Sequence, residues 1–117
     1  MRTWAIAAIA AIGGVAIVGI TVPASSVKVN GHVGEMATVE GVVSEVHVAA
    51  TSGVTFIDLG GRYPDNSFTG VIWPENADTF PNVGALYGKT VKITGLLKLY
   101  RGKQEIILTE ADQLQSE

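Results

Sequence analysis

From Glu35 onwards, hydrophobic residues recur at every second position, in short runs divided by glycine and proline. A chain patterned this way can bury one side of an extended strand but not the stripe of an amphipathic helix, so it must fold as sheet. Thr38 to Val48 is rich in valine, with Val39, Gly41 and Val43 on one face. Gly41 in mid-strand predicts a sharp bend or a bulge. Ala49 to Gly53 reads as a turn, Val54 to Leu59 as a second strand and Gly60 to Asn66 as a hairpin loop. Phe68 to Trp73 is a third strand, stopped by Pro74. Glu75 to Tyr87 changes character: Phe80 and Leu86 are isolated hydrophobes among Asn, Asp, Pro and Gly, which predicts a loop with short helical turns. Alternation returns from Thr90 to Tyr100, with Val91, Ile93, Gly95, Leu97 and Leu99 facing one way and Leu96 out of step. Arg101-Gly102 is a tight turn, Lys103 to Thr109 a fifth strand and Ala111 to Gln115 a short tail.

The beginning of the chain obeys another rule. After Met1-Arg2-Thr3, residues 4–22 are apolar apart from Thr21 and carry no charge. Val22-Pro23-Ala24-Ser25 has the small residues of a signal-peptidase site after Ala24, which makes residues 1–24 a signal peptide. The run also has about the 17 to 25 residues that span a bilayer, so an uncleaved hydrophobic helix anchored in the membrane through residues 4–22 is the competing expectation. Either reading exports the domain to the periplasm or the extracellular side, with Arg2 left inside. Residues 25–35 are a linker, and residues 36–114 are the folded domain. That leaves about 80 residues for the fold, so its core is small.

Composition narrows the chemistry. The chain has no cysteine, which excludes disulfides, thiolate metal sites and a cysteine nucleophile. The two histidines, His32 and His47, are too few and too scattered for a zinc site, so no metal or cofactor is expected. Asp58-Leu59-Gly60-Gly61-Arg62 opens a hairpin and Gly88-Lys89-Thr90 opens a strand, so neither is a phosphate-cradling loop. No nucleophile elbow accompanies either histidine, and the expectation is a binding module and not an enzyme. Net charge is −3, without the basic excess usual in nucleic-acid binders.

Three strands, a short helical connector and two further strands follow the plan of the OB fold, a five-stranded all-β barrel. Three motifs sharpen this: Phe56 to Gly60 in the second strand, Gly88-Lys89-Thr90-Val91 through Gly95 in the fourth, and Tyr100 to Ile106 leading into the fifth. They resemble those of bacterial OB-fold nucleic-acid-binding domains of the anticodon-binding type and of the amino-terminal domain of the exonuclease VII large subunit. The resemblance covers residues 36–114. It implies a binding face on strands two and three, with aromatic rings stacking bases and cations tracking phosphates. Phe56, Tyr63, Phe68, Trp73 and Tyr100 are the candidate rings, and Arg62, Lys98, Arg101 and Lys103 the candidate cations. Phe56 and Phe68 also fit a core role, and Trp73 a cap beside Pro74. Thermonucleases share the barrel, but their arginine, glutamate and calcium-carboxylate spacing is not found here.

Two functions follow as expectations. The first is weak, salt-sensitive binding of single-stranded DNA or RNA through Tyr63, Trp73 or Tyr100. Against it, Asp58, Asp65, Glu75 and Asp78 lie near the same face and repel phosphate. The second is an envelope adaptor that binds a protein or surface ligand through an apolar patch around Trp73, Phe80 and Tyr87. Pairing of the Lys103–Thr109 edge with another chain is a third route to a partner.

Overall fold

A computed structural model describes residues 27–117. The expected signal peptide or membrane anchor and its hydrophobic helix lie outside the described residues. No helix among the described residues is long and apolar enough to cross a membrane.

Eight strands form among these residues: β1 (Lys28–Asn30), β2 (Met36–Val48), β3 (Thr55–Leu59), β4 (Phe68–Ile72), β5 (Thr90–Leu96), β6 (Lys98–Tyr100), β7 (Lys103–Ile107) and β8 (Leu114–Ser116). They make one mixed sheet in the order β6-β7-β4-β3-β2-β5-β8, with β1 paired to β2 off that path. Every pairing is antiparallel except that of β4 with β7, which is parallel. The five-stranded OB barrel with a helical connector is thereby corrected to an open mixed sheet of eight strands. Its terminal strands, β6 and β8, do not pair with each other. The connector consists of two 3₁₀ turns, Pro74–Thr79 and Val83–Leu86.

The reasons for the difference are local. Strands of three residues are too short to display a period, and β1 and β8 owe their extended form to their partners. Lys28 pairs with Glu40, inside the segment read as a linker, and Leu114 pairs with Ile93, inside the one read as a tail. The run from Thr90 to Tyr100 divides at Leu97, which leaves the ladder. Its N–H donates to the Glu35 carbonyl at 2.9 Å, and its own carbonyl accepts from the Gly34 N–H at 2.8 Å. Leu97 is thus fully buried, while Leu99, expected on the same face, is exposed.

β2 is the hub. Its first half pairs with β5, from Met36↔Leu96 to Val42↔Thr90, and its second half with β3, from Val43↔Leu59 to Val48↔Thr55. The handover carries the expected irregularity, but at Ser44, where the register shifts between Val43 and Glu45. The displaced Ser44 hydroxyl accepts from the Gly61 N–H at 3.1 Å and reaches the carbonyls of Asp58 and Gly61. Gly41 serves packing instead: a side chain there would meet Val27 and Leu59.

The core gathers the inward faces of β2, β3 and β5 around β4. Val39, Val43, Ile57, Leu59, Phe68, Ile72, Val91, Ile93, Leu97, Ile106 and Leu108 are fully or almost fully buried. β4 lies between β3 and β7, and all five of its residues are buried.

Candidate functional groove

Strand order sets β3, β4 and β7 side by side. Beside them stand the loop between β3 and β4 and the Arg101-Gly102 turn between β6 and β7. Together they enclose a groove of about 590 Å³ lined by His47, Phe56, Asp58, Tyr63, Tyr100, Glu105 and their neighbours. Tyr63 and Tyr100 are 69% and 56% exposed, far more than rings that serve a core. A second hollow of about 380 Å³ lies over Thr55, Ile72, Asp78 and Phe80, and has neither a cation nor an exposed ring in its wall.

The candidate side chains separate by location. Tyr63, Tyr100, Arg101 and Lys103 come together in the groove wall, and Phe56 joins them at its base. Phe56 stacks on His47, with ring centroids 5.0 Å apart, because β2 and β3 pair these two residues directly. Phe68 belongs to the core. Trp73, Arg62 and Lys98 do not line the groove. Arg62 faces Glu45 at 4.0 Å, an exposed pair of small energetic weight. Lys98 sits opposite Glu105 across the β6–β7 ladder. The apolar patch expected at Trp73, Phe80 and Tyr87 lacks its centre, since Phe80 is only 8% exposed and packs in the core.

The two cations of the groove wall have different occupations. The Lys103 ammonium donates to the Pro64 carbonyl at 2.9 Å and to the Asn66 carbonyl, tying β7 to the loop that carries Tyr63. Two of its three donors are therefore spent on backbone. Arg101 stands over one face of the Tyr100 ring, with its guanidinium carbon 5.2 Å from the centroid. It occupies a left-handed position, φ 51°, followed by Gly102 at 79°. Two successive positive φ values make the tight primed turn that suits a hairpin, in which Asn or Gly is the unstrained choice at the first position. The strained arginine holds a guanidinium at the groove rim.

The groove base was the least visible part in the sequence. Asp58 is 1% exposed. Its Oδ1 accepts from the Asn66 side-chain amide at 3.2 Å and from the Thr69 hydroxyl at 3.3 Å. The Asn66 amide also donates to the Thr69 hydroxyl and to the Phe68 carbonyl, fixing the end of the loop. Asp58 Oδ2 has no hydrogen-bond partner and faces His47 Nε2 at 3.6 Å. Asp58 therefore points into the fold, where it braces the loop and His47, and does not stand on the surface as a barrier to phosphate. The period-two pattern does place Asp58 two residues from Phe56; the Asn66 and Thr69 partners come from β4 and its loop and carried no sequence signal.

Burial raises the Asp58 pKa from its ordinary 3.8, with the His47 imidazole, the Thr69 hydrogen bond and Lys103 opposing that rise and Glu45 adding to it. The folded chain thus holds this proton more tightly than the unfolded chain does. The resulting stabilisation is complete below about pH 3.8 and is lost as the pH rises through the folded value. Asp58→Asn keeps an acceptor for Asn66 and Thr69 but removes the titration. Urea midpoints measured from pH 3 upwards should decline less with rising pH in the variant than in the parent, and an unchanged slope would contradict the assignment.

Comparison with protein-family models and with curated proteins finds no match to this chain.

Proposed function

We propose that the groove binds a short stretch of single-stranded nucleic acid, by stacking bases on Tyr63 and Tyr100 with few phosphate contacts. The observation that carries this reading is the convergence of the two exposed rings, 37 positions apart in sequence, on one open groove. A base stacked on an aromatic side chain contributes about 1–3 kcal/mol whatever its identity, so two rings suffice for weak binding without a basic surface. The apolar run at residues 4–22 favours an exported or anchored location for this module.

Electrostatics limits the affinity. Lys103 is engaged with backbone, and Arg101 is the cation left in the groove wall, with Arg62 and Lys98 outside it. With about one phosphate neutralised, log K falls with log salt at a slope of only about −0.7.

The test is a fluorescence-anisotropy titration of the purified chain with labelled single-stranded DNA and RNA at low and physiological salt. Tyr63→Ala and Tyr100→Ala should each weaken binding by about 1–3 kcal/mol. Trp73→Ala and Tyr87→Ala, which remove exposed rings outside the groove, should leave it unchanged. No saturable binding at low salt would refute the reading, and equal losses from all four variants would move the site elsewhere.

A further inference from the structure

We propose that Lys103 is a positioning residue for the groove: it holds the loop that carries Tyr63 against the hairpin that carries Tyr100, and so sets the two rings for stacking before a ligand arrives. This rests on the stacking function proposed above and gives one of the groove cations a role other than phosphate contact.

The two rings ride on different elements. Tyr63 lies in the loop between β3 and β4, and Tyr100 at the end of β6. The loop is fastened to its own side of the sheet near both ends. The Gly61 N–H donates to the Ser44 hydroxyl of β2 at 3.1 Å, and the Asn66 amide donates to Asp58 of β3 and Thr69 of β4. Neither tie reaches the hairpin. Lys103 pairs with Tyr100 across the β6–β7 ladder, directly beyond the Arg101-Gly102 turn, so its backbone is fixed relative to that ring. Its ammonium donates to the carbonyls of Pro64, the residue after Tyr63, and of Asn66. Among the described residues these are the side-chain hydrogen bonds that join loop and hairpin.

Hydrogen bonds from a charged donor are the stronger kind, and two of them to one short stretch leave the loop little freedom. Order imposed on the free chain is order that binding need not supply, so such a clamp raises affinity without touching the ligand. A loop that held Tyr63 in place only about one tenth of the time would bind about tenfold more weakly. One N–H of the ammonium is left over, and its contact with a phosphate is the competing role that salt dependence separates.

The experiment titrates the full chain with labelled oligodeoxythymidine at several salt concentrations. Lys103→Met keeps the length of the side chain and removes its charge and donors. It should weaken binding about tenfold while the salt slope stays near about −0.7, and Lys103→Arg should recover most of the loss. In the Lys103→Met background Tyr63→Ala should cost much less than in the unaltered chain, because the ring is no longer held, whereas Tyr100→Ala should cost the same in both. Unchanged affinity in Lys103→Met overturns the proposal and leaves the stacking function standing. A slope that loses about 0.7 overturns it too, by making Lys103 a phosphate contact. Equal losses from Tyr63→Ala in the two backgrounds overturn it as well. No saturable binding by the unaltered chain removes the stacking function and the role of Lys103 together. Circular dichroism checks the fold of each variant, and Lys103→Gln replaces Lys103→Met should the latter not fold.

Discussion

Phe68→Ala should lower the unfolding free energy by about 3–5 kcal/mol. The ring is fully buried in β4, between Leu59 on one neighbouring strand and Gln104 on the other, and its removal leaves a cavity where the sheet cannot collapse. Single domains have only about 5–15 kcal/mol in total, so the variant should sit close to the unfolding threshold. Its urea midpoint should fall by more than about 1 M if the slope is ordinary for a chain of this size. Phe56→Ala is the informative companion. Both phenylalanines fit a core or a stacking role in the sequence, but Phe56 is half-buried at the groove base against His47. Its loss should cost about 1–2 kcal/mol, from partial burial and one aromatic pair. Equal costs for the two would mean that the groove base is core.

Gly95→Ala should destabilise the chain by about 1–3 kcal/mol, although the backbone there is ordinary strand. The obstacle is steric. A Cβ at Gly95 would lie 2.5 Å from Ile106 Cγ2 and 2.9 Å from Gln113 Nε2. Ile106 is fully buried and cannot swing aside. The Gln113 amide donates to the carbonyls of Thr94 at 3.0 Å and Ile107 at 3.2 Å, linking β5 to β7 where no ladder joins them. One methyl group would thus press on the packing and the cross-link together. Combining Gly95→Ala with Ile106→Ala should cost clearly less than the sum of the two single changes, since the second removes the atom that the first meets. Additive losses would show that the close approach is not the cause.

The pH behaviour of Asp58 has a parallel in Glu105, whose pKa burial also raises from an ordinary 4.5, against the pull of Lys98. In both carboxyls burial outweighs the neighbours that oppose the rise. Asp58 braces the groove loop through Asn66 and Thr69, and Glu105 presents a free acceptor to the groove.

Alternation by itself determined that residues from Met36 onwards form strands, and placed Val39, Val43, Val91, Ile93 and Leu97 inward. A two-residue period leaves no other way to bury one side of the chain. Glycine and proline likewise determined the Arg101-Gly102 turn and the interruption at Pro74, because they restrict the backbone locally. Pairing belongs to the tertiary structure. The parallel contact of β4 with β7, the capture of β1 and β8 by β2 and β5, and the exit of Leu97 from its ladder all depend on partners distant in sequence. The same division runs through the site. Tyr63 and Tyr100 announced themselves as aromatic residues in or beside turns, where a core seldom reaches. That they share a groove, that Lys103 is spent on the loop, and that Asp58, His47 and Glu105 form its base follow only from strand order, which sets side chains from β2, β3, β4 and β7 around one space. Local pattern fixes which way a side chain points, whereas the neighbours it meets are decided when non-local strands pair.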